Sequence, residues 1–174
     1  MKKQLVIIGI MVLLTIIGLS GCTETSDDIF NVLRYVNEDY GFGLNPPEGW
    51  TIEETGGGLG TTVIFLGPTE DNFSINMVIS ADTLDIGETL NSKVDEVTDM
   101  YASNENFSLL INDETTINGM NAYEIVYTMN ILKQKMILVE KNAVVIILVY
   151  SALETSYNNY STVFENSVNS LVIE

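Results

Sequence analysis

The strongest constraint on the fold of this chain is Asn118-Gly119, which joins two alternating runs, Phe107–Ile117 and Asn121–Ile131. Asn and Gly enter the positive-φ region of a two-residue turn at low cost, and a period of two on either side predicts an antiparallel hairpin. In the second run Tyr123, Ile125, Tyr127, Met129 and Ile131 share one face. Lys141-Asn142 predicts another hairpin, between Lys135–Glu140 and Ala143–Ser151. Inside that last run Val144–Val149 is apolar at every position, which predicts a central strand covered on both faces. Shorter strands are expected over Ile29–Asn37, Phe42–Leu44, Thr62–Leu66 and Phe73–Ser80, each bounded by Gly, Pro, Asn or Asp.

Two segments carry the helical period instead. Leu90, Val94, Val97 and Tyr101 predict a helix between Glu88 and Asn104, with Asp85, three residues before Glu88, as its candidate cap. Tyr157, Tyr160, Phe164, Val168 and Leu171 predict a second. Antiparallel strands plus helices with one apolar stripe each give an α+β fold, an antiparallel sheet sandwiched by helices that bury their stripes on it. At 174 residues and 46% hydrophobic, the chain is long enough for one such domain and its core.

The first residues read as an address that precedes this domain. Lys2 and Lys3 lead into a 15-residue apolar run, Leu5–Leu19, and then Leu19-Ser20-Gly21-Cys22. Basic end, apolar middle and small residues at the cut are the layout of a signal peptide, and the run is shorter than the roughly 20 residues of a spanning helix. Leu-Ser-Gly-Cys resembles the lipobox of secreted lipoproteins, in which the cysteine receives lipid and becomes the mature N-terminus. The expected organisation is a signal peptide or anchor helix over residues 1–21, a lipid-anchored tether over 22–29 and one domain over 30–174. Localisation would be the outer face of the cytoplasmic membrane or the cell envelope. Cys22 is the chain's single cysteine, so the domain forms no internal disulfide. Without Lys2 and Lys3 the mature chain keeps five cations against 24 acids, a net charge of −19. Such a polyanion needs lipid at Cys22 to hold it to a membrane, and one acyl chain alone gives only marginal attachment.

Chemistry is bounded by absences. With no histidine there is no Ser-His-Asp or Cys-His catalysis and no HExxH zinc site. The acidity excludes nucleic acid as a partner. Gly56-Gly57-Gly58-Leu59-Gly60 lacks the Lys-Ser/Thr of a phosphate loop and feeds the strand-like Thr61–Phe65, so it reads as a turn. Asp82, Asp85 and Glu88 are weak candidates for a Ca²⁺ loop, without the EF-hand order. Glu53-Glu54 and Asn112-Asp113-Glu114 offer acids beside expected turns, where acids are solvated, with no partner motif for hydrolysis. Asn72, Asn106 and Asn159 head Asn-x-Ser sequons. Trp50, after Pro46-Pro47, reads as a core plug rather than a recognition surface, and the tyrosines at 123, 127, 150, 157 and 160 as core rather than a stacking belt. No catalytic residue and no cofactor follow from these patterns.

Three groups of residues carry a family resemblance: Tyr40-Gly41-Phe42-Gly43-Leu44 with Pro47 and Gly49-Trp50, Asn118-Gly119-Met120-Asn121-Ala122-Tyr123, and the run from Tyr150 through Tyr157, Tyr160 and Phe164 to Ser167, Ser170 and Leu171. Over residues 30–174 the chain resembles the PsbP-like family, which includes prokaryotic lipoproteins without known function. The resemblance implies an α/β/α sandwich around an antiparallel sheet and, from the family's best-known members, a role in binding or stabilising a complex; it supplies no active site. The leading expectation is a non-catalytic surface lipoprotein that binds a protein partner in the envelope. A tethered receptor for a small solute and an acid-pair hydrolase are the alternatives.

Overall fold

A computed structural model describes residues 34–55 and 62–174, which lie in the unit Val32–Glu174. In chain order the elements are β1 (Tyr35–Asn37), β2 (Phe42–Leu44), β3 (Thr51–Thr55), β4 (Thr62–Glu70), β5 (Phe73–Thr83), α1 (Leu90–Ala102), β6 (Phe107–Ile117), β7 (Met120–Met129), β8 (Leu132–Lys141), β9 (Val144–Leu153), α2 (Tyr157–Asn169) and β10 (Val172–Ile173). The expected signal peptide, Cys22, the tether, residues 29–33 of the first expected strand and the glycine run at 56–60 lie outside the described residues.

Seven strands form one antiparallel sheet in the order β3-β4-β5-β9-β8-β7-β6, and β1-β2-β10 form a small second sheet. β9, which holds Val144–Val149, is the middle strand of the seven. Its alternation serves two cores. Ile146, Leu148 and Tyr150 pack with Phe65, Met77, Ile79, Phe164 and Leu171 on the α2 side. Val145, Ile147 and Val149 face Leu90 and Val94 of α1 together with Ile125, Tyr127, Met136 and Leu138. The sandwich is therefore the one expected, with α2 and the small sheet on one face and α1 on the other.

The turns explain the register. Asn118 and Gly119 take φ of 51° and 78°, Asn130 takes 56°, and the Asp71-Asn72 turn takes 46° and 65°. The β8–β9 turn sits one residue later than the sequence suggests, at Asn142-Ala143, with φ of 55° and 66°. Ile131 does not extend β7; it lies in the β7–β8 turn and is exposed. α1 is capped by Thr89 rather than Asp85. The Thr89 hydroxyl accepts from the Ser92 N–H and the Ser92 hydroxyl accepts from the Thr89 N–H, a reciprocal capping box. Glu88 instead accepts from the Asp85 N–H at 2.9 Å and closes the loop before it.

The C-terminus is clasped by three turns. Asn118 donates its side-chain amide to the Asn169 and Leu171 carbonyls, Lys141 donates to the Ile173 carbonyl, and Asn142 to Glu174. The Glu174 N–H reaches the Gly41 carbonyl at 2.8 Å. Trp50 packs against the α2-side core, its ring lying over Gly67: a Cβ built at Gly67 would fall 2.6 Å from the indole. The structural reading of Trp50 holds. Tyr127 and Tyr150 are fully buried and Tyr157 nearly so, as core tyrosines. Among the described residues no helix is long and apolar enough to cross a membrane.

Candidate functional site

The fold consumes its lysines. Lys93 bridges Asp82 at 3.1 Å and Glu96 at 3.0 Å. On β8 the residues at a period of two, Lys133, Lys135 and Lys141, point to the α2 side. Lys133 sits 4.6 Å from the centre of the Tyr157 ring, Lys135 lies between Glu124 (3.2 Å) and Glu165 (3.3 Å), and Lys141 holds the C-terminal strand. Each of the four lysines of the described residues is thus engaged inside the domain. Among the described residues only Asp82, Glu96, Glu124 and Glu165 pair with these lysines, and most of the other carboxylates are exposed; a binding surface built from them selects for positive charge.

The residues singled out from sequence do not converge on a reaction centre. Asp82 ends β5 paired with Lys93; burial alone would raise its carboxyl, but the Lys93 ammonium and the Thr83 N–H hold it below the usual value. Asp85 and Glu88 meet each other through the backbone, and among the described residues no group of three His, Cys, Asp or Glu side chains could hold a metal. Asn72, Asn106 and Asn159 are exposed, in the β4–β5 turn, before β6 and in the first turn of α2 respectively. Asp113 and Glu114 are consecutive but lie on opposite faces of the sheet: Asp113 stands opposite Glu124 on the α2 face, Glu114 opposite Tyr123 on the α1 face. Glu53 lies on β3, at the other end of the sheet.

What the structure does assemble is the edge formed by β6 and the groove beside it. Tyr101 at the end of α1 stacks on Phe107 and Tyr127, which meet each other tilted, with ring centres 5.3 to 6.1 Å apart, fixing the start of β6 against α1. The pairing of β6 with β7 then slips between Leu109 and Ile111, leaving Leu110 as the extra residue of a bulge. The slip places Leu109 on the α1 face and Ile111 on the α2 face. All three are exposed, at 41%, 51% and 37%. Beyond them the acidic half of β6 borders an open groove of about 270 Å³ lined by Thr89, Leu90, Tyr123, Glu114 and Glu140 among others. The Tyr123 hydroxyl donates to Glu114 Oε1 at 2.8 Å, and the hydrogen bond to that carboxylate raises the phenol above its usual value. Sequence reasoning missed this surface, although three consecutive apolar residues at 109–111 break the alternation and are the mark of the bulge.

Comparison with known proteins agrees with the geometry. No curated protein matches the chain. The solution structure of cyanobacterial PsbP (CyanoP) from Synechocystis sp. PCC 6803 is similar with a TM-score of 0.63 at 15% identity, over 80% of this chain and 91% of that one. PA94 from Pseudomonas aeruginosa, a protein of unknown function and putative regulator, gives 0.59 at 15% identity over 72% and 97%. LpqN of Mycobacterium tuberculosis gives 0.52 at 14% identity over 76% and 82%. At these identities the likeness concerns the fold. The family described as PsbP-like protein matches residues 10–173, and the chain belongs to that family.

Proposed function

We propose that this chain is a non-catalytic, lipid-anchored binding module of the cell envelope, whose acidic surface holds a basic protein partner. The observation that carries the reading is the internal use of all four described lysines, whose ion pairs engage only Asp82, Glu96, Glu124 and Glu165 and leave the acids of β6, among others, to a cationic partner. LpqN, a neighbour in fold, is described as involved in cell envelope biogenesis, which is in keeping with an envelope location. The anchor would be Cys22, after Leu19-Ser20-Gly21. A receptor for small solutes is disfavoured because Tyr127, Tyr150 and Tyr157 pack into the core instead of lining a cavity.

Mass spectrometry of the mature N-terminus tests the anchor. A lipid-bearing Cys22 is expected, and Cys22→Ser should abolish labelling without unfolding the domain; an intact Met1 or an unmodified Cys22 overturns it. Crosslinking on isolated membranes at rising salt tests the binding mode. Screening from a Debye length of about 10 Å at 0.1 M to about 3 Å at 1 M should release the partner, and binding that survives overturns the electrostatic reading. Glycoside, ester and peptide substrates should show no turnover. Activity that disappears in Glu114→Gln or Glu140→Gln would establish the hydrolase instead.

A further inference from the structure

We propose that the outer edge of β6 receives an extended, basic segment of a partner polypeptide, which adds a strand to the seven-stranded sheet along Ile111–Ile117. The inference rests on the binding-module reading and names where and how that module binds.

β6 is an edge strand of 11 residues, and no described strand pairs with its outer side. An edge strand carries unpaired N–H and C=O groups that can pair with an incoming strand. The opposite edge, β3, has five residues. From Ile111 to Ile117 the register with β7 is unbroken, so the backbone there is a regular template. Leu109, Leu110 and Ile111, exposed at its start, offer apolar surface to one end of the guest.

Charge selects the occupant. A guest residue beside Asp113 projects onto the α2 face, and the next, beside Glu114, onto the α1 face, where the groove holds Glu140 as well. Two successive basic residues satisfy both faces. A second copy of this chain does not. Antiparallel pairing of two such segments with Ile111 against Ile117 sets Glu114 directly against Glu114, and a slip to Ile111 against Thr116 sets Asp113 against Glu114. Like charges facing each other across strands are destabilising. The acids that repel a copy therefore attract a basic guest.

The test uses the full chain in detergent micelles with three capped probe peptides: Val-Thr-Lys-Lys-Thr-Val-Thr, the same peptide with Glu-Glu in place of Lys-Lys, and the Lys-Lys peptide N-methylated at alternate residues. The first should bind and protect the amides of 111–117 from hydrogen exchange. The other two should bind about tenfold more weakly or worse, one losing charge complementarity and the other backbone pairing. Asp113→Asn with Glu114→Gln should weaken the first by about the same factor while preserving the melting temperature. Equal binding of the N-methylated peptide, or protection away from β6, overturns the strand-addition proposal and leaves the acidic-module reading standing. Failure of every basic peptide to bind at low salt overturns both. A concentration-dependent dimer with protection over β6 assigns the edge to a second copy and also overturns the proposal.

Discussion

The side-chain amide of Asn118 donates to the carbonyl oxygen of Leu171 at 2.9 Å, joining the β6–β7 turn to the segment between α2 and β10. The same amide reaches Asn169 at 3.1 Å. One side chain thus sets a hairpin and closes a helix terminus 51 residues away, whose carbonyls lack intrahelical partners. Asn118→Gly keeps the φ of 51° accessible but removes both bonds. It should cost about 1–2 kcal/mol by urea denaturation. Asn118→Ala adds left-handed strain and should cost about 1 kcal/mol more. Equal stabilities for the wild type and the Gly variant would show that the two bonds contribute nothing.

Ala143 is held at φ 66° in the β8–β9 turn, a region that penalises a Cβ. Its carbonyl accepts from the Leu84 N–H at 2.8 Å, so the turn also carries the loop that leads to α1. Ala143→Gly leaves that bond in place and should raise stability by about 0.5–1 kcal/mol, because relief of strain outweighs the added freedom of the unfolded chain. A lower melting temperature in this variant would contradict the assigned turn.

Local signals made most of this fold legible. Asn118-Gly119, the doubly apolar Val144–Val149 and the two helical stripes need no distant context. The misses are elements whose stability is tertiary. Thr51–Thr55 has one apolar residue, Ile52, and becomes β3 because β4 pairs with it. Val172–Ile173 becomes β10 because β2 and the clasp of Asn118 and Lys141 hold it. Thr89 was hidden as a cap because Asp85 and Glu88 have the same three-residue spacing and are also bonded to each other, outside the helix. The site was legible only in its composition. Asp113 and Glu114 read as a surface pair, and nothing short of strand order shows that β6 ends the sheet or that Glu140, 26 residues on in sequence, shares a groove with Glu114.

Gly67 is the floor under the only tryptophan of the chain. Any side chain there meets the indole at 2.6–2.7 Å, so Gly67→Ala must push Trp50 outward or shift β4. Overpacking of this kind costs about 1–3 kcal/mol. The single tryptophan makes the displacement directly visible, and the variant should show red-shifted fluorescence with greater quenching by iodide. Unchanged fluorescence would mean that the ring does not lie over Gly67.

Burial of tyrosine gives the domain a limit at high pH rather than low. Burial pushes the Tyr157 phenol up to about 12, helped by the Glu124 and Glu165 charges, and raises Tyr127 and Tyr150 further. The Tyr150 hydroxyl is held neutral as a donor to the Tyr157 carbonyl at 2.8 Å, beneath a ring contact with Phe164. In the unfolded chain these phenols titrate near their ordinary value of about 10. Above that value the unfolded state binds fewer protons than the folded one, so stability falls as pH rises. These groups should leave stability unaffected below about pH 9 and drive a cooperative loss above pH 10, continuing through the folded values. Base titration followed by tyrosinate absorbance and circular dichroism should show the buried phenols ionising together with unfolding, after the exposed ones. Tyr150→Phe removes one raised phenol and its bond, so it should be less stable at neutral pH yet lose less of its stability between pH 10 and 12. A variant with the wild-type slope over that range would show that Tyr150 does not contribute to the alkaline limit.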